Sequence, residues 1–325
     1  MDAVRQIADA VLYEGYMLWP YRRSALKNQR RWGFGGVYPA GTEGERSAMQ
    51  AECLLEGAED AAVVVSVRFL QVIDRRVARR TPDGGRELVP DLTVAGERHL
   101  AWDEAVEREL TLPALPVDAT EPIVFEITVD AGTDEEPLGD AGWILREHQA
   151  LAGSVTVSAR PIAPALHRVS VCVGNTTTWE GGDRDQLHRR TFCSTHAVLR
   201  AERGGFVSLT DPPEGLVDAA AQCRNEGAWP VLVGEPGDRS TVLASPIILE
   251  DHPRIAPESP GDLFDGGEID QMLVLNILSL TDEEKAEMRA SDPRAREILE
   301  RTEALTPEDL MRLHGAIREF AAVRE

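Results

Sequence analysis

The chain reads as an α+β protein: an antiparallel β-sandwich or barrel-like core, an N-terminal aromatic and basic arm before it, and a C-terminal helical appendage after it. Three observations predict this. Between about residues 47 and 209, apolar residues alternate with a period of two in short runs separated by turn clusters. Most of these runs have no helical pattern between them, which favours antiparallel strands over a parallel α/β sheet. All four tyrosines (13, 16, 21 and 38) fall near the N-terminus, interleaved with basic residues. Beyond a proline-rich stretch the period changes to that of helices, with several cap signals packed closely together.

Taken in order, Asp2 to about Leu12 predicts a short helix with Val4, Ile7, Ala8 and Val11 on one face. Pro20 and the cluster Gly33-Phe34-Gly35-Gly36 make continuation of that helix unfavourable. Strands are expected at Val63–Phe69, Ile123–Val129, Val155–Ser158, Val169–Val173 and Thr191–Leu199, with Gly204-Gly205 turning into Phe206–Leu209. Turns are expected at Pro82–Gly85 and Gly181–Asp183, and the acidic stretch 130–145 reads as a long exposed loop. A helix over 212–226 follows, with Asp211 as N-cap, Pro212 at its first position and Glu214 closing a capping box. Its apolar face is Leu216, Ala220 and Cys223, and Gly227 is its stop. Val231–Val233 and Thr241–Leu243 read as strands joined by Gly234–Asp238.

His252–Gly261 is rich in proline and should run extended. Helices then start near Glu268, at the capping box Thr281–Glu284, at Ser291-Asp292-Pro293 and at Thr306–Asp309. Ile298 and Leu299 lie on the apolar side of the third; Leu310, Leu313, Ile317 and Phe320 form the core face of the fourth. The expected organisation is therefore 1–45 for the helix and arm, 46–250 for the β domain, 251–261 for the linker and 262–325 for the helical region.

Composition bounds the function. With 325 residues, 42% apolar and 28% charged, the chain has material for a real core. A formal charge of −22 disfavours a broad nucleic-acid or anionic-membrane surface. Stretches free of charged residues, such as His148 to Ala159, are too short to cross a membrane. Asp2 and Glu14 do not fit a signal peptide, and cysteines at 53, 172, 193 and 223 make no disulfide framework. A cytoplasmic, acidic protein is expected, with no cofactor. The near-absence of lysine, only Lys27 and Lys285, reads as the codon usage of a GC-rich genome.

Motifs for familiar chemistry are incomplete. No Gly-x-Ser-x-Gly elbow occurs, and Ser24-Ala25-Leu26-Lys27 lacks the partner motifs of an acyl-transfer site. Gly234–Thr241 superficially resembles a phosphate loop, but its lysine is absent and Glu235 and Asp238 would repel phosphate. No dinucleotide-binding glycine fingerprint is present. Asp262–Asp270 lacks the ligand spacing of a calcium loop and is suited to charge-matching a helix start. His188 and the Cys-x-x-His of Cys193 and His196 form one metal-ligand module where a closed zinc site uses two. In a regular strand, positions three apart point to opposite faces, so Cys193 and His196 converge only across a bulge. A buried core cysteine beside an unrelated histidine is the simpler account.

The arm is the most distinctive stretch. Arg22, Arg23, Lys27, Arg30 and Arg31 lie between Trp19 and Trp32, and arginine among aromatics is the composition of recognition surfaces. The acidic remainder of the chain, an acidic partner protein and an anionic ligand are all suitable counterparts.

Two stretches carry a family resemblance. Val11–Trp32 and Ser245–Asp265, with the helical tail after them, resemble an uncharacterised family associated with gene clusters of actinobacterial-type, oxygen-tolerant NiFe-hydrogenases. The resemblance runs through nearly the whole chain and implies an accessory role in assembling or maturing a metalloenzyme. It supplies no catalytic residue. The expectation is a non-catalytic protein that binds a hydrogenase subunit or maturation factor through Trp19, Arg22, Arg23, Lys27, Arg30, Arg31 and Trp32. An enzyme or metal-binding protein centred on His188, Cys193 and His196, or a structural subunit of a larger complex, are the alternatives.

Overall fold

A computed structural model describes residues 3–14, 35–119 and 121–254, with isolated positions between 280 and 304. The fold is built around one strand, β1 (Ala48–Arg80), 33 residues long. One of its edges is taken in turn by β11 (Leu166–Asn175), β6 (Leu115–Pro116), β5 (Trp102–Thr111) and β2 (Arg86–Val89). The other edge is taken by β12 (Cys193–Val207) and then β9 (Gly142–His148). The ladder continues from β12 to β14 (Thr241–Ser245) and β13 (Trp229–Leu232), and from β11 to β10 (Leu151–Ala163) and β7 (Ile123–Val129). With β8 (Gly132–Leu138) paired to β9, this makes a single 12-stranded sheet, antiparallel at every pairing. A separate hairpin, β3 (Asp91–Val94) and β4 (Glu97–Leu100), turns on Ala95 and Gly96, whose φ angles of 53° and 88° suit a two-residue hairpin turn.

Odd-numbered residues explain how β1 serves one core along most of its length. Met49, Ala51, Cys53 and Leu55 from its first part share a cluster with Val63, Val65, Val67 and Phe69 from its middle. Val155 and Val157 of β10, Val169, Val171 and Val173 of β11, and Leu199 of β12 complete that core. Between the two parts, Ala58–Ala61 have no partner in the β12 register, and pairing to β12 resumes at Ala62 after a register shift from Gly57. Arg203 answers this bulge with a φ of 55° and pairs with Asp60 at 3.0 Å.

Helix α1 (Ala3–Glu14) covers the opposite face of β12. Ile7, Ala8 and Val11 pack on Val198, Val231, Val233 and Leu243, and Leu12 packs on Leu70, Val72 and Cys193. The expected helical period is thus used for docking, with each fully buried aliphatic side chain contributing roughly 1.5–3 kcal/mol.

Three local expectations are corrected. The 130–145 stretch is the β8–β9 hairpin, and its two glutamates are paired: Arg146 bonds Glu136 at 2.8 Å, and Arg86 bonds Glu135 at 2.7 Å. Gly204-Gly205 is no turn but mid-strand in β12, where Gly204 faces Gly57 and a Cβ would stand 2.9 Å from the Glu56 carbonyl. The 212–226 helix is short, a 3-10 turn at Glu214–Leu216 and α2-like α3 (Val217–Ala221), the preceding α2 being Arg184–His188. Asp211 does not cap it, because the first turn starts from Pro213 with no side-chain cap, and the Asp211 N–H that Glu214 would accept in a capping box is donated to Ser208 Oγ. Leu216, Ala220 and Cys223 do pack inward, on Leu54, Leu166 and Val207. The basic arm lies outside the described residues, as do most positions of the expected C-terminal helices.

Candidate functional site

The arm residues Trp19, Arg22, Arg23, Lys27, Arg30, Arg31 and Trp32 lie outside the described residues, but the anchors on either side of them do not. Ser194 Oγ donates to the Val11 carbonyl at 3.0 Å, and the Thr195 N–H donates to the Gly35 carbonyl at 3.0 Å. Arg68, buried in the sheet beneath α1, bonds Asp9 at 2.6 Å and Glu107 at 3.1 Å. After Gly35, Val37 and Phe192 exchange backbone hydrogen bonds in both directions. The Val11 and Gly35 carbonyls are therefore held by two consecutive residues of β12. Ser194→Ala is expected to loosen the first anchor by about 1 kcal/mol, read by chemical denaturation and by faster amide exchange confined to α1.

The proposed metal module is split between two environments. His188 ends α2, buried beside Tyr38 with ring centroids 6.3 Å apart. Burial, reinforced by Glu45, pushes the Tyr38 phenol up to about 12. Cys193 and His196 sit at the start of β12, where Ser194 adopts a φ of 51° and the register to β1 shifts between Arg68 and Leu70. This bulge resets the alternation. Cys193 packs against Leu12, and His196 stands directly opposite Arg68, whose side chain reaches Asp9, so both belong to the face beneath α1. His196 is fully buried; its Nδ1 lies 3.1 Å from the Ser194 carbonyl. Burial first, and then the Arg68 charge, depress its pKa to about 4, so the ring is neutral at physiological pH. Among the described residues, no group of three or more His, Cys, Asp and Glu side chains is placed to hold a metal ion.

The candidate that sequence reasoning missed is a groove of about 700 Å³ on the outer face of β1, β11 and β10. Its floor is made of cross-strand rows. Arg160 of β10 is directly opposite Arg168 of β11, the next row holds Ser158, Ser170 and Glu52, and Gln50 of β1 lies one row further on. The turn after α3 supplies the wall, with Ala221, Gln222, Cys223 and Arg224. Glu52 ties wall to floor: its Oε2 accepts the Arg224 N–H at 2.8 Å, and its own N–H donates to Asn225 Oδ1 at 2.8 Å. Arg168 is 8% exposed, its Nε has no hydrogen-bond partner, and its Nη2 reaches the Ala219 carbonyl and Gln222 Oε1 only at 3.4 Å. The sequence signalled the hairpin but not its register. The turn at Pro164 and Ala165 pairs Ala163 with Leu166, and a regular hairpin from there would set Arg160 opposite Val169; the register shift between Pro161 and Ala163 is what brings Arg160 opposite Arg168.

Several other arginines on the sheet are matched to carboxylates. Arg189 at the end of α2 bridges Asp74 at 2.9 Å and Asp103 at 3.0 Å, clamping α2 to β1 and β5. Burial raises the Asp74 pKa despite that partner. No helix among the described residues is long and apolar enough to cross a membrane. No protein-family model matches the chain, and no curated protein matches it.

Proposed function

We propose that this chain is a non-catalytic accessory protein of the cytoplasm that binds a partner protein during assembly or maturation of a NiFe-hydrogenase. Trp19, Arg22, Arg23, Lys27, Arg30, Arg31 and Trp32 form the contact. The observation that supports a presented arm is the paired anchorage at Ser194 and Thr195. Because Val11 before the arm and Gly35 after it are held by neighbouring residues of β12, the arm loses less freedom on binding than a free tail would. Its basic character also contrasts with a chain of net charge −22, so an acidic partner is drawn to it selectively.

The test is recovery of partners from the native cells on untagged-N-terminus protein, wild type against Arg30→Glu/Arg31→Glu. Hydrogenase subunits or maturation factors on the wild type, reduced about tenfold or more by the double reversal at unchanged melting temperature, is the expected result. Equal recovery by both proteins would refute the arm as the contact, and recovery of no hydrogenase component would refute the assembly role. A second reading, a metal or enzyme site near His188, Cys193 and His196, is favoured by the bulge that brings Cys193 and His196 to one face. Stoichiometric zinc, iron or nickel in the same purified protein would establish it instead.

A further inference from the structure

The geometry points to the groove over Arg160, Arg168 and Arg224 as a binding site for a small phosphorylated, hydroxyl-rich ligand of the sugar-phosphate class. Three features carry this, and none depends on the arm. The first is electrostatic. Three arginines and one glutamate line the groove, and no ion pair is formed by Arg160, Arg168 or Arg224 among the described residues. Other arginines of this acidic chain, Arg68, Arg146 and Arg189 among them, find carboxylates within about 3 Å. Like charges directly opposite on neighbouring strands repel, so the Arg160–Arg168 pair is unfavourable until an anion lies between or above it. A phosphate monoester, close to doubly charged near neutral pH, balances the excess.

The second feature is the state of Arg168. A guanidinium buried to this extent with an unpartnered Nε, two long contacts to oxygen and only the weak acceptor Cys223 Sγ besides is under-satisfied, and such groups cost free energy unless a charged acceptor reaches them. Phosphate oxygens, which arginine binds through its planar fork of donors, meet that need. The third feature concerns the rest of the ligand. The groove, about 700 Å³, far exceeds one phosphate group. Its remaining lining is Gln50, Ser158, Ser170 and Gln222, which match hydroxyl groups, and it contains no aromatic ring on which a base would stack.

Isothermal titration of the full chain with ribose 5-phosphate, inorganic phosphate, and chloride at equal ionic strength tests this. Ribose 5-phosphate should bind about tenfold or more tightly than inorganic phosphate, and chloride should give no saturable signal. Arg168→Gln and Arg160→Gln should each weaken ribose 5-phosphate binding by about tenfold or more. Glu52→Gln, which keeps an acceptor for the Arg224 N–H but removes the one carboxylate, should tighten it several-fold. Because Arg160 is exposed, Arg160→Gln leaves folding intact, and relief of the cross-strand repulsion should raise the ligand-free melting temperature. Equal affinity for phosphate and ribose 5-phosphate would overturn the sugar-phosphate assignment. No saturable binding of either, or binding insensitive to all three substitutions, would overturn the site.

Discussion

Phe192→Ala is expected to destabilise the protein by about 3–5 kcal/mol, the range for removing a fully buried aromatic side chain. Phe192 is completely buried in the main core and stacks on Phe69 with centroids 4.5 Å apart. Its backbone also holds Val37, so the ring and the return of the chain from the arm are fixed at one residue. Chemical denaturation with unchanged m-value would report the loss, and Phe192→Leu should retain most of the stability, costing about 1–2 kcal/mol. A double-mutant cycle with Phe69→Ala should reveal coupling of about 0.5–1.5 kcal/mol from the stacked pair. Gly153 marks how closely this ring is enclosed: a Cβ there would stand 2.7 Å from the Phe192 ring and 2.3 Å from the Gly174 carbonyl. Gly153→Ala is therefore not rescued by shortening Phe192, since the nearer obstruction is backbone. A loss below 1 kcal/mol for Phe192→Ala would mean that this junction is not part of the cooperative core.

The strands legible in the sequence were those with one aliphatic face. Val63–Phe69, Val155–Val157 and Val169–Val173 bury alternate residues in a single core, and their period of two follows directly. The strands that escaped notice, β2 to β5 and β8 to β9, satisfy themselves differently. Arg146 sits between Glu104 and Glu136, and Arg79 opposite Glu87, so ion pairs stand where apolar residues would signal a strand. Sequence periodicity in hydrophobicity is blind to such ladders. Glycine misled for a related reason: Gly204 and Gly205 looked like a turn, whereas Gly204 admits the close approach of the β1 bulge and Gly205 lies under the Arg239 side chain. At the start of β12, the condition for Cys193 and His196 to share a face was legible, but the bulge itself is set by Ser194 in a left-handed conformation, for which the local sequence carries no glycine or asparagine. The groove depends on three strands and a turn, and even the Arg160–Arg168 pairing within one hairpin rests on a register shift between Pro161 and Ala163 that the turn residues do not announce.

Acid stability supplies the second large effect. His196 is enclosed by β12, by Arg68 across the β1 ladder, and by Asp9 of α1 and Glu107 of β5, which hold that arginine. In the folded chain its pKa is depressed from 6.5 to about 4. The sign follows from proton linkage: below pH 6.5 the unfolded chain takes up a proton at this ring that the folded chain refuses, so unfolding is favoured as pH falls. The contribution of His196 is complete above pH 6.5, declines between pH 6.5 and about 4, and is constant below that. Over this window it amounts to roughly 3 kcal/mol. Denaturation of the wild type and of His196→Gln at intervals from pH 7.5 to 4 isolates this ring, because His167, His188 and every carboxylate are common to both proteins. The wild type should be the more stable at pH 7.5, and the gap between the two curves should shrink by roughly 3 kcal/mol on acidification. Parallel curves would show that His196 titrates alike in both states, and hence that the bulge at Ser194 admits water to the space beneath α1.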